Sequence, residues 1–95
     1  MELSFTFRNM QPSQAIKEYV QKKILSVGRL VREPAFCHVI FTHEKFRYSA
    51  EVVLEASMTI FRAKEENKDM NSAFDLALDV LRRQVRKFKD RKRSL

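Results

Sequence analysis

Eight lysines and arginines stand between Arg82 and Arg93, in the closing segment VLRRQVRKFKDRKRSL, against one acid, Asp90. Residues 1–79 hold eleven basic and eleven acidic side chains, so the formal charge of +7 belongs to the last sixteen residues. The chemistry such a cluster offers is neutralisation of a polyanion, by ion pairs and charge-assisted hydrogen bonds. Its spacing is ordered. Stepped at about 100° per residue, Arg82, Arg86, Lys89 and Arg93 fall on one side of a helix, and Arg83 and Lys87 form a second row one turn apart. Cations near a helix C-terminus also answer the helix dipole, but two or three suffice for that. The excess marks Arg82, Arg86, Arg91, Lys92 and Arg93 as candidate polyanion contacts on stripe geometry alone.

Other reactive residue types are present, but their spacing argues against chemistry. Cys37 and His38 are adjacent in a segment with strand character, so they point to opposite faces and cannot chelate one ion together. His43 shares a face with Cys37 but lies six residues on, roughly 20 Å at about 3.3 Å per residue. A single zinc needs ligands within about 2.3 Å. Cys37 therefore reads as a small core residue beside Val39 and Phe41, and both histidines as sheet-surface residues. Asp75 and Asp79 sit four apart on the outer side of the last helix, and Glu65 and Glu66 fall in a connection, with no cleft to make either pair an acid–base couple. One glycine rules out a Gly-rich phosphate loop. The expectation is a non-enzyme with no metal, no cofactor and no small-molecule substrate.

The elements that must hold the basic stripe are legible in the apolar pattern. Met70, Ala73, Phe74, Ala77, Leu81, Val85 and Phe88 recur at helical spacing, with Leu78 and Val80 widening the stripe, and Asp69 stands ready to cap the first turn. The helix is predicted over Asp69–Arg93. Glu2–Arg8 alternates strictly, with Leu3, Phe5 and Phe7 on one face, and reads as a half-buried strand. Ser13 can cap a helix carrying Ile16, Tyr19, Val20, Ile24 and Val27. Gly28 either ends it or sits in its last turn. Strands follow over Phe36–Glu44, Ala50–Ser57 and Met58–Lys64, and Glu65–Lys68 reads as a polar connection. Ile40 and Val53 fall on the face away from the helices, with Phe46 and Tyr48 in a turn. The order β-α-β-β-β-α describes an α+β domain with a four-stranded mixed sheet: strands one and two parallel, the rest an antiparallel meander. Both helices lie side by side on one face. That packing brings Lys22 and Lys23 towards the basic helix.

With 44% apolar residues and ten aromatics, the 95 residues can build one core, so residues 1–95 read as a single domain. No apolar run nears the ~18 residues of a membrane span. The start MELSFTFRNM lacks a charged stretch followed by an apolar one, and one cysteine makes no internal disulfide. A cytoplasmic protein with no membrane partner is expected.

The run Asp69-Met70-x-x-Ala73-x-Asp75-x-x-x-Asp79-x-Leu81-x-Arg83-Gln84-x-x-Lys87-x-Lys89 resembles the signature helix of the short ribosome hibernation-promoting factors, also called ribosome-associated inhibitors and, in older usage, sigma-factor modulation proteins. Ser13-x-x-Ile16-x-x-Tyr19-Val20 and the Glu44-Lys45 turn fit the same pattern, and the similarity spans essentially the whole chain. The resemblance implies a fold shaped like double-stranded RNA-binding domains, and binding to the small ribosomal subunit in the channel of messenger and transfer RNA. It implies ribosomal RNA contacts at Lys23, Arg83, Lys87 and Lys89. Ending at Leu95, the chain would lack the dimerising second domain of the long factors and the acidic tail of the inhibitor branch. That is the short type, which works beside a separate ribosome modulation factor. Asn71, Val80 and Ser26 depart from the family pattern, which usually has an aromatic residue, a Lys and a Lys there. Two other readings of the charge stand beside this one: a general double-stranded RNA or DNA binder, and an interaction module for an acidic protein.

Overall fold

The strict alternation of Glu2–Arg8 forms strand β1, with Leu3, Phe5 and Phe7 turned to the core side. The structure, a computed structural model, describes residues 1–93, with side chains described through Arg91. Ser13 caps helix α1 (Gln14–Lys23) as its spacing requires. Its Oγ accepts the Ile16 N–H at 3.2 Å. The apolar stripe then runs on past a hitch at Ile24 into a single turn, α2 (Leu25–Gly28), so that Ile16, Val20, Ile24 and Val27 are all buried. Strands β2 (Ala35–Glu44), β3 (Arg47–Ala56) and β4 (Thr59–Asn67) and helix α3 (Met70–Arg93) complete the chain.

The sheet order is β1-β2-β3-β4. β1 runs parallel to β2, and β2–β3 and β3–β4 are antiparallel, as the lengths of the links predict. The register carries Phe5 opposite Val39, Val39 opposite Val52 and Val52 opposite Ala63. That aligned row floors a core to which α1 and α3 bring their apolar stripes on one sheet face. α3 packs on β3 and β4, where Ala50, Ala63, Ala73 and Ala77 are all buried. Side chains this small leave room for the helix backbone close to the sheet. Larger rings lock the centre, in the tilted and edge-on arrangements that aromatic pairs prefer. The Phe41 and Phe74 ring centroids lie 6.3 Å apart, and Tyr19 meets Phe74 edge-on, also at 6.3 Å.

Three expectations are corrected. Glu65–Asn67 is strand rather than connection, pairing with Tyr48–Ala50 and leaving only Lys68 and Asp69 before α3. An edge strand gains its order from backbone hydrogen bonds, so polar side chains there carry no apolar signal. β3 begins at Arg47, and Tyr48 belongs to it rather than to the turn, stacked on His43 with ring centroids 4.5 Å apart. The first helix is interrupted at Ile24 instead of continuing unbroken. Turns here form without glycine. Ser57 and Met58 both take positive φ, 54° and 58°. A two-residue hairpin of type I′ requires such a pair of left-handed residues.

Candidate nucleic-acid interface

The basic helix is held by the stripe beneath it. Asp69 caps α3, satisfying donors that the first turn leaves free. Its Oδ1 accepts the Ser72 N–H at 2.8 Å and its Oδ2 the Ser72 hydroxyl at 3.0 Å. Ala73, Phe74, Ala77, Leu78, Leu81 and Val85 are buried, and Phe88 closes the stripe edge-to-face on Phe61 at 5.3 Å. Leu78, expected at the stripe's margin, is among the most buried side chains. With the helix so fixed, Arg83, Arg86, Lys87 and Arg91 are exposed, as the stripe predicts. Lys92 and Arg93 are also predicted contacts, but their side chains lie outside the described residues.

The row Arg82–Arg86–Lys89 follows the flank of α3 that faces α2 and the segment after it. Arg82 is half-buried, its Nη1 donating to Ser26 Oγ at 3.2 Å, and Ser26 in turn donates to the Lys23 carbonyl at 2.9 Å. Ser26 thus orients an arginine. Lys22, Lys23, Arg29 and Arg82 line one groove of about 400 Å³ between α1/α2 and α3. The convergence of Lys22 and Lys23 with the basic helix is as the packing argument predicts. Arg29 was missed. It lies seven residues after Lys22, two helical turns on, a signal readable only once α2 is known to extend the rod past Ile24.

One acid, Asp75, also lines this groove. It does not sit idle on the outer side of α3: the Tyr19 hydroxyl lies 2.8 and 2.7 Å from its two oxygens and donates to them, tying α1 to α3. That hydrogen bond, with lesser help from burial and from the charges of Asp75 and Asp69, pushes the Tyr19 phenol up to about 12. Lys23 Nζ lies 5.5 Å from the centre of the Tyr19 ring. At that range the ammonium makes a cation–π contact. Asp79 accepts from Arg83 Nη2 at 2.9 Å, with both side chains more than half exposed. A phosphate can therefore displace the carboxylate at little cost.

The remaining reactive types are absorbed by the fold. Burial pushes the Cys37 thiol up to about 12, which removes the thiolate a nucleophile would need. His38 lies on the sheet face away from the helices, Nδ1 2.5 Å from Ser4 Oγ and Nε2 2.7 Å from Thr6 Oγ1. Among the described residues no group of three or more His, Cys, Asp or Glu is placed to hold a metal ion. Val80 is half-buried and packs against the core, while Asn71 is exposed.

A four-stranded sheet carries two helices on one face, with a cationic groove between them and a cationic row beside it, so the helical side of this small α+β module is complementary in charge to a polyanion. Residues 3–93 match the family described as Sigma 54 modulation protein / S30EA ribosomal protein, and the chain belongs to that family of ribosome hibernation promoting factors. It is 36% identical over 89 residues to the ribosome hibernation promotion factor of Deinococcus radiodurans, covering 88% of this chain and 47% of that protein. It therefore spans about half the length of that relative. Against the ribosome hibernation promoting factor of Azotobacter vinelandii the identity is 31% over 91 residues, covering 96% of this chain and 85% of that one. The crystal structure of the Thermus thermophilus Protein Y N-terminal domain superposes with a TM-score of 0.86 at 28% identity, over 93% of this chain and 99% of that chain.

Proposed function

We propose that this protein is a ribosome hibernation factor that docks on the RNA of the small ribosomal subunit, in the messenger and transfer RNA channel, and silences idle ribosomes in the cytoplasm. The observation that carries the reading is the meeting of Lys22, Lys23, Arg29 and Arg82 in one groove, continued along α3 by exposed Arg83, Arg86, Lys87 and Arg91. Eight cations, on α1, at the end of α2 and along α3, span a surface that one phosphate contact would not need. The names of the relatives, hibernation factors in Deinococcus and Azotobacter, point the same way. The mechanism is steric rather than catalytic. Cations replace the counterions of ribosomal RNA phosphates, and the sheet behind them occupies the space of the translation ligands. A ribosome modulation factor is the natural second component.

The test is co-sedimentation of the purified protein with small subunits, in the presence of excess duplex RNA or of messenger and transfer RNA. Saturable one-to-one binding that withstands the duplex and yields to the translation ligands is expected. Loss to the duplex would make the protein a general polyanion binder. Binding to neither ribosome nor RNA would leave an acidic protein as the partner.

A further inference from the structure

A second groove lies farther along the same flank of α3, two helical turns beyond Arg82. Val31, Phe61, Val85 and Phe88 line it, Arg32 and Lys89 are the charged side chains on it, and its volume is about 500 Å³. No acid is among its lining residues. The rings of Phe61 and Phe88 meet edge-to-face at 84°. We propose that this groove receives one unstacked nucleobase of the RNA strand whose phosphates the cationic row neutralises; the assignment rests on the RNA-docking reading above.

Three observations select this occupant. The groove falls within the ~300–1,000 Å³ range of small-ligand pockets, which suits one planar ring system and not a helix or a duplex. Its lining pairs half-buried Val31 and Phe88, set over buried Phe61 and Val85, with the Ser57 side chain, two cations and no acid, the complement of a flat aromatic group carrying a phosphate. Its place in the row matters most: Lys89 follows Arg82 by seven residues, about 10 Å along the axis, so a strand tracked by Arg82 and Arg86 reaches the groove's mouth. RNA is read chiefly where bases are splayed from single strands and stacked on aromatic or apolar side chains. Charge alone would need no apolar residues there.

The experiment titrates the intact protein with adenosine 5′-monophosphate, and separately with ribose 5-phosphate, following the methyl signals of Val31 and Val85 and the ring signals of Phe61 and Phe88 by NMR. The nucleotide is expected to shift these signals saturably, and the sugar phosphate at equal concentration to leave them in place. Equal shifts from both, or none from the nucleotide, overturn the proposal. Val31→Trp fills the groove, and Phe88→Leu keeps it apolar without the ring. Each should weaken small-subunit binding about tenfold, the scale of one lost base stack, with the salt dependence unchanged because no phosphate contact is removed. Parental affinity in both variants overturns the proposal. So does weakened subunit binding with a groove silent to the nucleotide, which would name a protein segment as occupant. The titration uses no ribosome: a groove that binds nucleotide in a protein that fails to sediment with subunits sinks the hibernation reading alone.

Discussion

Replacing Arg83 and Lys87 together by glutamine separates the charge of the helix row from its shape. Both side chains are exposed, one turn apart, and the partners of Arg83 within the fold are the Asp79 carboxylate at 2.9 Å and the Asp79 carbonyl at 3.4 Å. Glutamine is as good a helix former as lysine or arginine, and the exposed pair contributes at most about 1 kcal/mol, so the fold should melt within a few degrees of the parent. Binding should change much more. If about six cations meet phosphates, log affinity falls against log salt with a slope of about −5.4, a thousand-fold loss between 50 and 200 mM. Removing two contacts brings the slope to about −3.6 and weakens binding about sixty-fold at 0.1 M salt, the difference shrinking as salt rises. Anisotropy or co-sedimentation with small subunits across that range measures it. An unchanged slope would refute the assignment of α3 as the docking surface. A loss equal at every salt concentration would assign the effect to shape rather than charge.

Tyr19→Phe should lower stability at neutral pH by removing the hydroxyl that bridges α1 to Asp75 on α3. The phenol's ordinary value of 10.0 is raised to about 12 in the fold, so its contribution is whole below pH 10 and is lost as pH rises through about 12; the variant should lack this alkaline decline in melting temperature. Asp69→Ala removes the hydrogen bonds that cap α3. It should cost about 1 kcal/mol in urea denaturation, with binding per folded molecule preserved. Cys37 should react with a thiol-specific disulfide reagent at pH 8 only at the rate of unfolding, since the side chain is buried and its thiol is held near 12. Rapid labelling of the native protein would contradict the packing of β2.

Ser26, Arg29 and Arg82 show how the interface depends on where two helices cross. Ser26 accepts from the guanidinium that a sequence pattern can only place on a flank, and holds it half-buried over the groove. Arg29 enters because α2 continues the stripe of α1 in space despite the hitch at Ile24. The same crossing hands Asp75 to Tyr19, turning an outward acid into a strut between helices.

Periodicity and charge were enough to read α3, its cap at Asp69, its buried stripe and its exposed cations, because all are properties of one helix and its 3.6-residue repeat. β1 and the strand order were legible for related reasons: alternation is local, the two short links make antiparallel hairpins, and the helical crossover between β1 and β2 makes them parallel. The end of β4 was not, since Glu65–Asn67 are ordered by backbone pairing to Tyr48–Ala50 rather than by any apolar side chain. Nor were the grooves. Arg29 reaches the cationic groove, and Arg32 and Lys89 flank the second one, because α2 and the segment after it pack along α3, a relation between residues more than fifty positions apart. One-dimensional pattern determines which face of an element is buried. Which faces then meet is decided by packing of the whole core.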